Sequence, residues 1–411
     1  MTRDLCPTAP VEVGFATAGL AAIDAYLQGL VDKGVLAGLV TLTARHGKVA
    51  HVSALGKKDL ATGEPMAADT MFRIFSMTKP VTAVAMMILH DQGLWSPDDP
   101  IARHLPEFAA VKVFGGMDAA GAVTLHDPDH APTLGELLTH TAGLIYGFTP
   151  AGGLETLYQA ADVWGASDLA EMSRRMAGLP LAFQPGTRWV YGLSMDLQGA
   201  IIEKLSGQSL PDFMRERIFE PLGMVDTAFH TPPEKKARLA TLYRFSASRG
   251  LVHLAANPLL PDHTAPPALA SGGGGLISTA GDYARFAQML LDGGEFAGRR
   301  IVSVEGVRLM MTNQLSDEML GQGWGVGKQQ IRPGFGYGFN GVVFTDPEAA
   351  GIPVGRGTYH WDGAAGTWFW VDPQNDLIFV GMVQLLSETA PTLQATTQTL
   401  MADAILQEAA A

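Results

Sequence analysis

Apolar residues recur at helical spacing over positions 17–31, where Leu20, Ile23, Leu27 and Val31 share one face and Gly34 offers a stop, so a helix is predicted there. The period then shortens. Stretches 37–44 and 48–54, rich in Val, Leu and Thr and joined at His46-Gly47, predict a β-hairpin. Near the other end, 367–372 and 376–384 repeat that pattern around Pro373-Gln374-Asn375, and a last helix is expected over 391–408. An antiparallel sheet drawn from both chain ends and flanked by the two terminal helices buries these faces most economically.

Between the ends the pattern is helical. Residues 81–92 are apolar on nearly every face (Val81, Val84, Met86, Met87, Ile88, Leu89), which marks a helix buried all round. Positions 134–138, 168–176, 195–205 and 210–219 also read as helices, separated by Gly/Pro loops around 114–132, 146–153 and 255–275. The expected fold class is α/β of the α+β type. A discontinuous α/β domain (1–80 and 270–411) would carry an inserted, mostly helical lobe (81–269), and active sites commonly lie at such interfaces. The 411 residues, 47% of them hydrophobic, suffice for a large core.

Charge narrows the function. The net charge is −13, and the pairs Lys57-Lys58 and Lys235-Lys236 are too small to neutralise a phosphate backbone, which excludes nucleic acid as a partner. The single cysteine, Cys6, cannot form an intrachain disulfide and sits in an N-terminal stretch expected to be mobile. No basic region precedes an apolar run as in a signal peptide, and no uninterrupted apolar run approaches the ~18 residues of a membrane span. The cytoplasm is the expected compartment.

The candidate chemistry begins at Phe72-Arg-Ile-Phe-Ser76-Met-Thr-Lys79-Pro80, which opens the buried helix. Proline fits only a helix's first turn, so Ser76 falls at or just before the start. Lys79, three residues on, shares its face and can reach the hydroxyl. Burial would push the amine toward a usable base, and the helix N-terminus offers N–H groups to an oxyanion. Penicillin-recognising enzymes use this Ser-x-x-Lys arrangement. The motif is short enough to arise by chance, and a structural serine is the alternative.

Two further segments carry polar groups. Gln184-Pro-Gly-Thr-Arg-Trp-Val-Tyr191-Gly-Leu193-Ser194 leads into a predicted helix. Beside an ammonium group the Tyr191 phenol would lose pKa and relay a proton to or from Ser76; the other reading is a buried tyrosine with its hydroxyl satisfied. Tyr359-His360-Trp361-Asp362-Gly363-Ala364 leads into the last strand pair, where an edge strand with glycine would let a substrate carbonyl approach a backbone N–H. An ordinary aromatic strand entry reads equally well. A Ser–His–Asp arrangement through His360 is disfavoured, because no Gly-x-Ser-x-Gly elbow occurs. His126-Asp-Pro-Asp-His130 lies in a Pro-rich loop and lacks metal-site geometry, so solvated loop is the reading there. Gly272–Gly275, without a following Lys-Ser/Thr, reads as a tight backbone passage rather than a phosphate loop.

Together these segments resemble the serine hydrolases related to class C β-lactamases and penicillin-binding proteins, and within them the family VIII carboxylesterases. The resemblance runs from about residue 17 to 400 and takes in Leu137-Leu-Thr-His-Thr-Ala-Gly-Leu144, Glu220-Pro-Leu-Gly-Met224 and Ser271-Gly-Gly-Gly-Gly-Leu-Ile-Ser-Thr-Ala-Gly-Asp282. It implies Ser76 as nucleophile, Lys79 as its base partner, Tyr191 as the tyrosine of the second motif, and Trp361-Asp362-Gly363 in place of Lys-Thr-Gly. The N–H groups of Ser76 and Ala364 would form the oxyanion hole. Trp361, Asp362, Gly363 and Leu193 would contact substrate. Leu193 replaces an amide-binding asparagine and Trp361 a carboxylate-binding lysine, which favours a neutral, short-chain ester over a β-lactam. No metal or cofactor is required. A β-lactamase, a D-amino-acid peptidase or an acyltransferase would use the same groups, and a silent ligand-binding module is the non-catalytic alternative.

Overall fold

The computed structural model describes residues 3–246, 248–255, 263–322, 324–326, 329–331, 333–387 and 393–406. Its largest sheet has eight strands: β1 (Cys6–Pro7), β2 (Gly38–Arg45), β3 (Lys48–Gly56), β4 (Phe335–Tyr337), β5 (Val342–Phe344), β6 (Tyr359–Asp362), β7 (Trp368–Asp372) and β8 (Leu377–Val383). Their order is β1-β3-β2-β8-β7-β6-β5-β4. All pairs are antiparallel except β1 with β3. The two chain ends meet in mid-sheet, where β2 pairs with β8 from Leu39↔Val383 to Arg45↔Leu377. The five longest helices among the described residues are α1 (Thr17–Asp32), α2 (Thr78–Asp91), α3 (Ser194–Ser206), α4 (Ala280–Leu291) and α5 (Leu393–Ala404).

Both faces of the sheet are covered, and the side chains divide between them with the two-residue period of a strand. Leu39, Trp368, Trp370 and Phe379 enter one apolar cluster; Val40, Phe369, Val371, Ile378 and Val380 enter the other. That is why these strands read as continuous apolar runs. The first face is closed by α1 through Leu20, Ile23 and Leu27, and by α5 through Leu393 and Met401. Those two helices touch so closely that a Cβ on Gly19 would stand 2.5 Å from the Ala404 Cα. Against the second face lies α4, with Tyr283 and Phe286 in the larger cluster. Behind it, α2 is buried at every position from Thr78 to Leu89 and packs on α3.

The predicted helices 134–138 and 168–176 appear with their caps. Thr133 and Glu136 form a reciprocal capping box, and Asp168 accepts from the Glu171 N–H. The stretch predicted as one helix over 210–219 is an α turn, Leu210–Met214, running into a π turn, Arg215–Phe219. Two expectations need correction. The N-terminal stretch is tied down, since Cys6 and Pro7 pair with Lys48 and Val49. The predicted loop 114–132 holds part of a hairpin, Val113–Met117 with Val123–His126, whose alternation is broken by a register shift between Phe114 and Gly116. The loop 146–153 is present as predicted and leads into a further helix, Leu154–Ala160. Part of the predicted loop 255–275 (256–262) and both predicted ends of the last helix (391–392 and 407–408) lie outside the described residues. Among those described, no helix is long and apolar enough to cross a membrane.

Candidate active site

The segment before Ser76 arrives as a short strand, Phe72–Arg73, paired with Ile277–Ser278, and the Ile74 N–H donates to the Leu276 carbonyl. The chain then turns sharply. Phe75 sits at φ 43°, a left-handed conformation that bulky residues seldom adopt, and a single 3₁₀ turn (Phe75–Met77) leads into α2. Neighbouring backbone holds this strained turn. Thr78 Oγ1 accepts from the Leu276 N–H, Thr82 Oγ1 donates to the Gly272 carbonyl at 2.7 Å, and the Tyr283 hydroxyl donates to the Met77 carbonyl at 2.8 Å. Pro80 is the third residue of α2, inside the turn where its missing N–H has no intrahelical role. The run of glycines at 272–275 is a close passage: a Cβ on Gly272 would lie 2.5 Å from the Met195 carbonyl oxygen.

Ser76 is half-buried, and its Oγ lies between two groups. The Tyr191 hydroxyl donates to it at 2.7 Å, and Lys79 Nζ stands 3.1 Å away. Nζ also donates to the Gly273 carbonyl at 2.6 Å and sits 4.6 Å from the centre of the Tyr191 ring. Lys79 is fully buried, and that burial pushes its pKa down to about 7. Tyr191 comes from the loop before α3, which leans on the 140–145 segment: the Val190 N–H donates to the His140 carbonyl, and a Cβ on Gly192 would lie 2.2 Å from the Leu144 carbonyl oxygen. Contrary to expectation, the phenol is driven upward, chiefly by burial, with Asp362 and Asp196 adding to the rise. Desolvation outweighs the hydrogen bonds with Ser76 and Trp361 that pull the other way, so Tyr191 is a protonated donor rather than a phenolate.

The third segment reaches the site from the sheet. Here β6 is internal, not an edge strand as predicted, but β5 pairs only with its Tyr359 and His360. The Trp361 ring packs 5.7 Å from that of Tyr191. Asp362, next along, is pushed up to about 7 by burial, which the nearby Lys79 partly offsets. At Gly363 a Cβ would stand 2.4 Å from the Ile74 carbonyl oxygen and 2.2 Å from Thr367 Oγ1. Only glycine lets the end of β6 lie against the backbone that precedes Ser76. Among the described residues, neither the Ser76 nor the Ala364 amide donates to another backbone group.

Leu193 and His360 are placed elsewhere. Leu193 is buried in the apolar core at the N-cap of α3. His360 alternates with Trp361 and so faces the other side of the sheet, where its Nδ1 meets Gln394 of α5 and its ring packs on Phe344. Burial pushes it down to about 3, so it is a neutral core histidine and not a partner of Ser76. His130 pairs with Glu136 at 2.6 Å on the surface.

Sequence reasoning missed three residues around Lys79. Asp196 is fully buried in the first turn of α3 and faces the amine electrostatically. His140, at φ 59°, accepts from the Gly192 N–H through Nδ1 and packs 4.8 Å from the Tyr191 ring. Tyr146 lies 5.4 Å from the Tyr191 ring. A lone acid flanked by Met195 and Leu197, in a helix apolar enough to be buried, was the available signal for Asp196.

The family model for β-lactamase matches residues 23–403, and the chain belongs to the β-lactamase family. A Mycobacterium tuberculosis protein is 40% identical over 375 residues, covering 88% of each chain. Esterase EstB of Burkholderia gladioli is 31% identical over 403 residues, covering 93% of each. The solved structure of EstCE1, described as a hydrolase with promiscuous acyltransferase activity, superposes with a TM-score of 0.76 at 27% identity, over 95% of this chain and 99% of that one.

Proposed function

We propose that the protein is a serine carboxylesterase that hydrolyses small, neutral, short-chain esters through an acyl-enzyme on Ser76. One observation carries this reading: Ser76 Oγ lies within hydrogen-bond reach of both an amine with a pKa of about 7 and a protonated phenol. The relationship to Esterase EstB supports an ester as the substrate. In the division proposed, residues 1–80 with 270–411 form the α/β domain, and 81–269 the helical lobe.

In this mechanism neutral Lys79 takes the Ser76 proton as Oγ attacks the ester carbonyl. The amides of Ser76 and Ala364 stabilise the oxyanion of the tetrahedral intermediate. As that intermediate collapses, the Tyr191 hydroxyl gives its proton to the departing alkoxide, and the Lys79 ammonium restores it. Water then attacks the acyl-enzyme; its proton passes to Lys79, Ser76 leaves reprotonated, and a carboxylic acid is released. Trp361, packed beside Tyr191, makes the surroundings apolar, which suits a neutral substrate. Asp362 and Gly363 complete the wall that carries the Ala364 amide.

The test is turnover of p-nitrophenyl esters of graded chain length beside nitrocefin. Ser76→Ala is expected to lose at least about 10³-fold in kcat with its fold intact, and wild-type-like turnover would refute the assignment. Acyl transfer to an added alcohol is the second reading, favoured by the described activity of EstCE1. Product analysis with an alcohol acceptor separates the two.

A further inference from the structure

Asp196 is a costly residue where it stands. Its Oδ1 accepts from the Ser271 hydroxyl at 2.6 Å and from the Gly273 N–H at 3.1 Å, while its equally buried Oδ2 has no hydrogen-bond partner among the described residues. An apolar side chain of similar size would serve packing better. Its contacts explain its presence. They fix the turn that carries the Gly273 carbonyl, which is the group that accepts from Lys79 Nζ. The turn is fitted to the acid in return, since a Cβ on Gly273 would lie 2.7 Å from Oδ2.

We infer that Asp196 is a positioning residue for Lys79: it fixes the carbonyl that orients the amine, and it supplies negative charge to the ammonium formed when Nζ takes the Ser76 proton. In that step one proton moves from Oγ to Nζ, and the electron pair left on Oγ forms the bond to the acyl carbon. A cation therefore appears on a side chain that is fully buried. The titratable groups facing it are Asp362 from β6, Tyr191 and Tyr146 from loops, His140, and Asp196 from α3. Burial keeps both phenols protonated and the imidazole neutral. Negative charge is thus left to Asp196 and Asp362, both of which raise the affinity of Lys79 for its proton; burial raises both carboxyls in turn, and the Lys79 charge, with the Ser271 and Gly273 hydrogen bonds at Asp196, works against that rise. The inference rests on Lys79 being the base in the esterase reading above.

Fluorophosphonate labelling of Ser76 across a pH series tests it without ester turnover. Wild-type labelling should rise with pH as Lys79 loses its proton. In Asp196→Asn, which keeps an acceptor and the same shape, that limb should move about one pH unit lower, because a charge that favoured the ammonium is gone. Ester kcat should fall about ten-fold, with KM nearly unchanged. Ser271→Ala, at the more exposed end of the contact, removes a donor from the carboxylate and should shift the limb the same way by less; it decides the matter if Asp196→Asn does not fold. An unshifted limb in the folded variants overturns the inference while leaving the esterase reading intact. Wild-type protein that resists labelling overturns both.

Discussion

The central sheet and the cluster around Lys79 are equally dry, yet burial acts on them in opposite ways. Trp370, 1% exposed, stacks on Phe379 with ring centres 4.3 Å apart between strands paired on both sides, so every step of its burial is favourable. Lys79, 0% exposed, sits near Asp196 and Asp362, and the same exclusion of water pushes the amine down to about 7 and the Asp362 carboxyl up to about 7. One region is stable because its groups suit a low-dielectric interior. The other holds groups that titrate near neutrality because they do not, which is what the proposed proton transfer requires.

The sharpest way to separate the two is Lys79→Met. It should cost at least about 10³-fold in ester kcat/KM and yet raise Tm by a few degrees. The folded amine holds its proton less tightly than the unfolded one (about 7 against 10.5), so the unfolded chain binds more protons between those values. The lysine therefore costs stability that is fully felt below about pH 7 and recovered as pH rises through 10.5. Thermal unfolding of both proteins across that range should show the Met gain shrinking with rising pH. Next in effect is Gly363→Ala, which forces the end of β6 away from the Ile74 carbonyl and displaces the Ala364 amide. A loss of about 10²-fold in kcat is expected, the value of one oxyanion donor, measured beside Tm to show that the fold survives. Trp370→Ala should leave kcat/KM of the folded protein within about two-fold while costing about 3–5 kcal/mol in denaturant unfolding.

The same contrast explains what could be read from the chain. The sheet, its flanking helices and the buried α2 announced themselves because period and burial agree, as at Leu20-Ile23-Leu27 and along Trp368–Asp372. Ser76, Lys79 and Tyr191 were legible through short motifs at helix entries. The protonation state of Tyr191 was not, because desolvation depends on which rings close around the phenol, and His140, Tyr146 and Trp361 arrive from separate segments. Asp196 was hidden for a related reason: its partners, Ser271 and Gly273, lie on the far side of the helical region. The internal position of β6 depended on β4 and β5, whose short runs carry too little alternation to count strands.

The pairing of Leu39 with Val383 has a consequence for how the molecule is assembled. A ribosome delivers β8 only after the whole helical region that follows β2 and β3, so the middle of the sheet closes late in synthesis. Until then β2 presents an apolar free edge, a template for wrong partners that a holding chaperone would need to shield. Because β6 and the Ala364 amide come with that late strand group, a nascent chain carries Ser76 long before it carries the backbone that the proposed oxyanion hole needs.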